Sequence, residues 1–351
     1  MEKALQIGVI GRVLDSLCDG QTIKTRVLVK ELKKRYPDCR IHMAETGDYR
    51  SNPMKLVWQL IQCVRKSDVI FVLLAENGLR VILPILFFLN RFYRKPVLHD
   101  CIGGNHWEMI RDYPGLRKYY ARMEVNWVET ERLKKSLEKH GLFNAEVLPN
   151  FKDLTPVKPE ALALKQEEPF RFCTFSRVIR EKGITAAAEA VRAINREKGR
   201  VVCTLDVYGP VEEPYREEFE QVFGLEKETV RYMGVAKFDE SVAILKDYYM
   251  LLFPTTFWGE GFPGTVIDAF SAGLPVIATD WHCNSEILDH GRTGFLYSPD
   301  QPEMLKKWME EAMADPRRIH EMGLNCLEEL KKYSPETLME TIHQRIMKVT
   351  K

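Results

Sequence analysis

The sequence has no cysteine arrangement that indicates a metal site or a disulfide framework. Its 351 residues include eight cysteines, none in a C-x-x-C pair and none near histidines at metal-ligand spacing. Most fall within apolar runs, which is typical of small buried side chains. This usage favours a reducing compartment. The eight are Cys18, Cys39, Cys63, Cys101, Cys173, Cys203, Cys283 and Cys326.

Long hydrophobic runs are also lacking. The longest, residues 81–89, has nine residues and contains Pro84, whereas a helix that spans a membrane needs about 20. Residues 1–13 lack the basic region and apolar run that mark a secretory signal. We therefore expect a cytoplasmic protein without a membrane span.

Charge is nearly balanced over the whole chain, at +1, but it is unevenly spread. Residues 1–155 carry 26 Lys and Arg against 18 Asp and Glu, and the remainder carries 25 against 32. The basic half suggests an anionic ligand or surface. Because residues 81–89 run into Arg91, Arg94 and Lys95, we expect a peripheral site on an anionic membrane. The alternatives are chance variation in charge, and a buried core helix at residues 81–89 with solvated charges around it.

Strand and helix patterns alternate twice along the chain. Short apolar runs such as residues 68–74 and 170–175 are typical of strands covered on both faces, and amphipathic segments lie between such runs. The alternation predicts an α/β fold with two Rossmann-like, doubly wound domains facing a central cleft. In open sheets of this kind, ligands bind at the carboxyl ends of the strands.

A poorly periodic stretch at residues 149–169, with four prolines, is the predicted interdomain linker. We expect the first domain to span residues 1–155 and the second to span residues 165–334. The last predicted helix lies within residues 335–351, after a break at the Tyr-Ser-Pro sequence, and we expect it to pack back on the first domain.

The most informative segment is residues 253–297, which contains a strand end, a glycine-rich loop, a short helix and a second strand. Gly259, Gly261 and Gly264 let the backbone approach a ligand closely. Thr265 is expected to cap the following helix. A helix N-terminus preceded by glycines favours an anion, so the segment predicts a phosphate site.

Two carboxylates in this segment suggest sugar contacts. A carboxylate beside phosphates would be repelled, so we expect Glu260 to face neutral sugar hydroxyls. Asp268, in the first turns of the helix, is a candidate acceptor for ribose hydroxyls. The three glycines also match the dinucleotide fingerprint G-x-G-x-x-G, but Glu260 would oppose a pyrophosphate and the helix is short, which disfavours a nicotinamide cofactor.

Together these residues resemble the retaining glycosyltransferases of the GT-B fold, in particular their large fourth family. That family carries a Glu-x7-Glu pattern, then an A-x-G-x-P-V-I-A-T strand and a G-x-x-G turn. Here Glu260 and Asp268 occupy the acidic positions, residues 272–279 read AGLPVIAT, and Gly291 and Gly294 form the turn. Asp268 departs from the pattern by one methylene. The resemblance is specific over about 45 residues and weaker over most of the chain.

The resemblance implies roles for several residues. Glu260 and the loop after it position the donor sugar, the helix start faces the diphosphate, and Asp268 binds ribose. The loop residues are Gly261, Phe262, Pro263, Gly264 and Thr265.

A second family motif lies at residues 175–183, FSRVIREKG. In the family, an Arg and a Lys at this spacing hold the donor diphosphate, and Arg177 and Lys182 match them. Paired cations suit this task because the leaving diphosphate gains charge in the transition state. The alternative is a solvated basic helix start, with Arg180 and Lys182 on the surface.

Two sites in the first half are weaker candidates. Gly20 and Gln21 lie, by position, where the family has a glycine loop near the donor phosphates, although a plain strand-to-helix turn explains them equally well. His99 ends a strand where family members often carry a cleft histidine that contacts a sugar hydroxyl or the developing oxocarbenium. His106 is the competing candidate, and either histidine could be structural.

The resemblance therefore implies a retaining glycosyltransferase that uses a nucleotide diphosphate sugar and a glycan or lipid-linked acceptor, as in surface-polysaccharide synthesis. The absence of any D-x-D motif favours a metal-independent reaction, and we expect no cofactor and no nucleic-acid partner. The alternatives are a nucleotide-sugar epimerase or a phosphorylase on the same scaffold, or a non-catalytic nucleotide-sugar-binding protein. A dedicated cofactor lysine for pyridoxal phosphate is not identifiable.

Overall fold

The computed structural model describes residues 4–14, 20–223 and 228–350. Within these ranges, the side chains of Val222 and Phe238 are not described. The chain divides into two compact units. The first comprises Met1–Asp153, Gly259–Phe262 and Tyr333–Lys351. The second comprises Leu154–Trp258 and Pro263–Lys332.

The first unit contains a parallel sheet flanked by helices. Its six described strands are β1 (Gln6–Gly11), β2 (Arg40–Glu45), β3 (Val69–Val72), β4 (Val97–Asp100), β5 (Val125–Val128) and β6 (Ala145–Val147). They are ordered β2-β1-β3-β4-β5-β6. The helices between them are α1 (Gly20–Arg35), α2 (Pro53–Lys66), α3 (Glu76–Tyr93), α4 (His106–Asp112), α5 (Arg117–Tyr120) and α6 (Glu131–Lys139).

The second unit repeats this architecture. Its six described strands are β7 (Phe170–Phe175), β8 (Cys203–Tyr208), β9 (Val230–Gly234), β10 (Met250–Phe253), β11 (Val276–Thr279) and β12 (Gly294–Tyr297). They are ordered β12-β11-β10-β7-β8-β9, and every pairing is parallel. The helices are α7 (Ile184–Lys198), α8 (Glu213–Phe223), α9 (Ser241–Leu245), α10 (Gly264–Ser271), α11 (Asn284–Ile287), α12 (Glu303–Ala314) and α13 (Pro316–Glu329).

The last helix, α14 (Pro335–Val349), belongs to the first unit. Its buried face places Leu338, Met339, Ile342 and Ile346 in the same apolar core as Trp127. Exposed ion pairs also join α14 to α1, but such pairs contribute little, so the apolar face is what holds this helix.

Each sheet has one position where the strand order reverses. The chain leaves β1 for β2 on one side and reaches β3 on the other, and in the second unit β7 lies between β8 and β10 in the same way. Adjacent loops diverge there and leave a crevice at the carboxyl ends of the strands. The segments after β7 and β10 therefore border the switch point of the second sheet.

The two parallel sheets confirm the predicted α/β fold with two Rossmann-like units. The strand predicted at residues 170–175 has the same bounds as β7. The strands β2, β6 and β12 and the helix α13 were not predicted. Among the described residues, no helix is long and apolar enough to cross a membrane.

Candidate active site

The basic motif of the second unit lies at the sheet's switch point. Lys182 ends a single 3-10 turn, Arg180–Lys182, in the segment that follows β7. The next residue, Gly183, has φ +68°, and a Cβ there would lie 2.3 Å from the carbonyl oxygen of Pro254. Only glycine fits both the conformation and the contact. The segments that follow β7 and β10 are thus packed against each other.

Arg177 and Lys182 share one aromatic ring. The Arg177 guanidinium lies 5.1 Å from the centre of the Phe257 ring, and the Lys182 ammonium lies 5.3 Å from it. Lys182 is buried and also lies over the ring of Phe253. Cations are attracted to the faces of aromatic rings, so the ring of Phe257 orients both side chains. The two candidate diphosphate ligands therefore form one cationic cluster.

The alternative of a solvated basic surface fits Arg180 and not Lys182. Arg180 is 72% exposed and pairs with Glu218. Arg177 is half exposed and pairs with Glu212 at 2.8 Å. Because exposed ion pairs contribute little free energy, an anionic ligand can displace Glu212 at small cost.

The start of α10 differs from the prediction. We expected Thr265 to cap the helix, but Pro263 is the N-cap residue and makes no side-chain cap hydrogen bond. The Thr265 hydroxyl instead donates to the carbonyl oxygen of Phe175, at 2.6 Å. The capping prediction was wrong because Thr265 already lies inside the helix, where the last carbonyl of β7 is within reach. This bond fixes the start of α10, at Gly264, beside the end of β7.

Asp268 already has a partner. Its side chain is 3% exposed, and Oδ1 accepts a hydrogen bond from the Ser241 hydroxyl at 3.0 Å. Ser241 is the first residue of α9, which packs against α10. A ribose hydroxyl bound by Asp268 would share this carboxylate with Ser241, so the ribose role of Asp268 stays a prediction.

Glu260 lies in the first unit, although sequence reasoning treated its loop as one continuous site. The segment Gly259–Phe262 groups with the first unit. A Cβ on Gly104 would lie 2.3 Å from the carbonyl oxygen of Glu260, and a Cβ on Gly261 would lie 2.8 Å from Oε2 of Glu129. The loop is therefore in close contact with two other segments of its own unit.

Three buried ionised groups lie beneath this loop. Lys24 of α1 contacts Oδ1 of Asp100 at 2.7 Å and Oε1 of Glu129 at 3.0 Å, and all three side chains are at most 6% exposed. Burial alone would lower the pKa of Lys24, but the two carboxylates outweigh burial and raise it. Burial raises the pKa of Asp100, which Lys24 partly opposes. We call Lys24, Asp100 and Glu129 the buried ionic cluster.

This cluster was not predicted from the sequence. Asp100 ends β4 and Glu129 directly follows β5, and the two strands are paired. Acidic residues at the ends of consecutive strands were the available signal, because parallel strands deliver their carboxyl ends to one edge of the sheet. Lys24 could not be matched to them from sequence spacing.

His99 is fully buried and electrically neutral. Its Nδ1 lies 2.9 Å from Oδ1 of Asn126, whose amide nitrogen donates to the carbonyl oxygen of Tyr120. That second bond assigns Oδ1 as the acceptor, so Nδ1 of His99 carries the proton. Burial lowers the pKa of His99 to about 4. Within the described part of the chain, its Nε2 has no hydrogen-bond partner.

His106 has a similar environment. It is 3% exposed, its Nδ1 lies 2.8 Å from the Tyr120 hydroxyl, and burial lowers its pKa to about 3. The rings of His99 and His106 meet edge to face at 6.0 Å. Both histidines are buried, and among the described residues the Nε2 of each lacks a hydrogen-bond partner, so neither property distinguishes them. The contact of His99 with a sugar stays a prediction.

Gly20 and Gln21 form the start of α1. Gly20 is exposed, and a Cβ there would meet no heavy atom within 4 Å. The buried Gln21 amide donates to the carbonyl oxygen of Leu73, at 2.8 Å, and so ties α1 to the end of β3. The preceding residues 15–19, Cys18 among them, lie outside the described residues. A contact with donor phosphates stays a prediction for both residues.

Comparison with known proteins finds a family model that matches the second unit. Residues 169–315 match the model of the family described as Glycosyl transferases group 1. The human alpha-1,3/1,6-mannosyltransferase ALG2 is 25% identical over 285 residues, which cover 75% of this chain and 64% of ALG2. The D-rhamnosyltransferase WbpZ of Pseudomonas aeruginosa is 26% identical over 111 residues, covering 31% of this chain and 29% of WbpZ.

The fold agrees with that match. The structure of Anabaena Alr3699/HepE in complex with UDP-glucose superposes with a TM-score of 0.76 at 15% identity, covering 98% of this chain and 100% of that one. The matched segments span 29–64% of the lengths of the first three curated relatives. The two units thus have the GT-B fold, and residues 169–315 of the second match the glycosyl transferases group 1 model. The resemblance to glycosyltransferases of the GT-B fold is confirmed, whereas retention of the anomeric configuration stays a prediction.

The environment of His99 gives a prediction about its protonation. We expect the His99 imidazole to stay neutral, with the proton on Nδ1, from pH 8 to about pH 5, because its pKa is lowered to about 4. Nitrogen-15 NMR of the imidazoles measures this, and His99→Gln assigns the resonance. A titration midpoint near the ordinary value of about 6.5 would contradict the burial described here. Since the unfolded chain takes up this proton first, His99 should also lower the free energy of unfolding as pH falls from about 6.5 towards about 4.

Proposed function

We propose that this chain is a retaining glycosyltransferase that moves a sugar from a nucleotide diphosphate donor to a glycan or lipid-linked acceptor in surface-polysaccharide synthesis. The observation that carries the proposal is the cationic cluster of Arg177 and Lys182 at the switch point of the second sheet. The glycosyl transferases group 1 match over the same domain supports it, as does the UDP-glucose bound to a protein of the same fold.

The donor chemistry requires a stabilised leaving group. The bond between the anomeric carbon and the diphosphate oxygen breaks, and its electron pair leaves with the nucleoside diphosphate. The acceptor hydroxyl forms the new glycosidic bond and releases its proton. Arg177 and Lys182 stabilise the charge that the diphosphate gains, and the free N–H groups at the start of α10 add to this. Positive charge supplied by side chains makes a metal ion unnecessary in this proposal.

The sugar itself is assigned to the first unit's residues. Glu260 accepts hydrogen bonds from sugar hydroxyls, and Nε2 of His99 accepts one more. Because His99 is neutral, it binds a hydroxyl better than it stabilises an oxocarbenium. An epimerase or a phosphorylase is not favoured, since the matching family is described as glycosyl transferases. A non-catalytic binding protein would bind the donor without turning it over.

The cationic cluster predicts a selective loss of turnover. Arg177→Ala and Lys182→Ala should each lower kcat by about 10²–10³-fold, because the lost interaction strengthens as the leaving group gains charge. Steady-state release of nucleoside diphosphate is the measurement.

The matched control is Arg180→Ala, which removes an equal charge from the same segment at an exposed position. This variant should keep its activity. Equal losses in all three variants, with unchanged thermal unfolding, would mean that general positive charge and not the cluster is responsible.

We further propose that the first unit docks on an anionic membrane to reach a lipid-linked acceptor. The helix α3 has one buried apolar face and one exposed apolar face. One face, with Leu79, Leu83 and Leu86, is buried. The other exposes Phe88 at 65% and Phe92 at 71%. A helix that packs in the core can therefore also present an apolar surface to a membrane.

The neighbouring helix α2 adds a second exposed apolar face. It contacts α3, and its Met54, Trp58 and Ile61 recur at helical spacing while remaining exposed. Large exposed aromatic side chains on packed helices indicate an interaction surface. The cations Arg91 and Arg94 border the α3 face, and such a combination suits the interface of an anionic bilayer.

Membrane docking predicts lipid-selective binding. Co-sedimentation with vesicles of anionic phospholipid should recover the protein, and recovery should fall with added salt. Replacing Arg91, Arg94 and Lys95 by Gln should lower the partition coefficient by about 10²-fold, at about 1 kcal/mol for each cation.

Removal of three exposed cations of the second unit, Arg196, Lys246 and Lys307, should leave binding unchanged. Phe88→Ser with Phe92→Ser should weaken binding at any salt concentration. Equal recovery with neutral vesicles, or no recovery at low salt, would contradict the docking surface.

A further inference from the structure

The loop Gly259–Phe262 is attached to its unit by a carboxylate. Glu129 follows β5 and is 5% exposed. Its Oε2 accepts a hydrogen bond from the backbone N–H of Phe262 at 3.1 Å, while its Oε1 receives the Lys24 ammonium at 3.0 Å. Hydrogen bonds to an ionised acceptor are the stronger ones, and this one is away from solvent. One buried side chain thus joins the loop to α1.

Glycines at two positions allow this contact. A Cβ on Gly261 would lie 2.8 Å from the accepting oxygen of Glu129. Gly104 also approaches the loop closely, since a Cβ there would lie 2.3 Å from the carbonyl oxygen of Glu260 and 2.7 Å from its carbonyl carbon. Side chains at these positions would push the loop away from the carboxylate. The close approach is therefore independent evidence that the loop is held in this place.

Phe262 has two further contacts within the unit. Its ring meets that of Tyr333 edge to face at 4.9 Å, and it is 6% exposed. Its carbonyl oxygen lies 3.5 Å from the amide nitrogen of Asn150. These contacts fix the end of the loop, and the Glu129 bond fixes its backbone nearest to Glu260.

Glu129 is paired with Lys24. A buried carboxylate is costly without a cation, and Lys24 supplies one at the carboxylate oxygen that does not bind the loop. Asp100 contacts the same ammonium, and among the described residues its carboxylate accepts no hydrogen bond from the loop. Glu129 therefore binds the loop and Asp100 does not, although both belong to the buried ionic cluster.

We propose that Glu129 is a positioning residue, which holds Gly259–Phe262 through the Phe262 N–H and thereby fixes Glu260 for the donor sugar. The part concerning Glu260 rests on the proposed function, whereas the anchoring of the loop does not. The position of Glu260 matters because a displacement of about 1 Å at a reacting group can lower the rate by about 10²-fold.

The first test is hydrogen exchange at the Phe262 amide in the full chain without ligand. In Glu129→Gln, exchange should accelerate by about tenfold or more, because glutamine has one acceptor oxygen to offer to two donors. Asp100→Asn is the matched control, since it removes a carboxylate from the same lysine and leaves the Phe262 bond. Its Phe262 exchange should be unchanged. Equal exchange in Glu129→Gln and the wild type would overturn the proposal, whatever happens to activity.

Gly261→Ala is a second variant that keeps every charge. Its added Cβ should also speed Phe262 exchange, and it provides the test if Glu129→Gln fails to fold, as judged by thermal unfolding. Unchanged exchange in a folded Gly261→Ala would contradict the close contact.

The second test asks whether Glu129 acts through Glu260. We expect Glu129→Gln to lower kcat by about 10–100-fold with little change in the KM for the donor. In a Glu260→Gln background the same change should have almost no further effect, because both act through one group. Full additivity, or an unchanged kcat despite faster exchange, would reject the positioning role. If the wild type transfers no sugar at all, the proposed function fails while the exchange test still decides the anchoring.

Discussion

Parallel pairing of β7 with β10 determines where the chemistry of the second unit lies. The two strands run side by side in register, and both release the chain at the same edge of the sheet. Three contacts depend on this pairing: Gly183 against Pro254, Thr265 on the carbonyl of Phe175, and Phe257 beneath Arg177 and Lys182. Each contact joins the end of β7 or the segment after it to a segment after β10, so the cationic cluster lies at the edge that the two strands share.

The first unit buries three ionised side chains, which are two carboxylates and the single ammonium that contacts both of them. Such clusters rarely add net stability compared with apolar packing, because desolvation offsets the attraction. A buried cluster of this kind is therefore better explained by what it holds, and here one of its carboxylates holds a glycine-rich loop. Burial lowers the pKa of His99 and of His106, so both are neutral, and the charge in this region comes from the three groups of the cluster.

Much of the fold followed from hydrophobic periodicity. Strands such as β7, β8 and β10 are short apolar runs between turn residues, and their bounds are readable without tertiary context. The edge strand β2 was missed because its RIHMAE sequence is partly polar and partly exposed. The three-residue β6 is too short to show a period.

Site residues were predictable where they lie in local motifs. Arg177 and Lys182 could be recognised because their spacing and position after a strand are features of the sequence. The role of the Thr265 hydroxyl could not be assigned, since it can accept from a helix N–H or donate to a carbonyl, and only tertiary structure decides between the two. Lys24 and Glu129 are 105 residues apart, and no local pattern joins them. The grouping of Gly259–Phe262 with the first unit is equally invisible in a sequence whose flanking residues belong to the second.

The most direct test of the account is the stereochemistry of transfer in the absence of metal. Purified protein would be incubated in EDTA with uridine, guanosine and thymidine diphosphate sugars and simple glycoside acceptors, and the anomeric proton coupling of any new product would be read by NMR. The account predicts that at least one donor gives nucleoside diphosphate and a glycoside with the donor's anomeric configuration. An inverted product, activity that returns only with added Mg²⁺, or donor binding without turnover would contradict it.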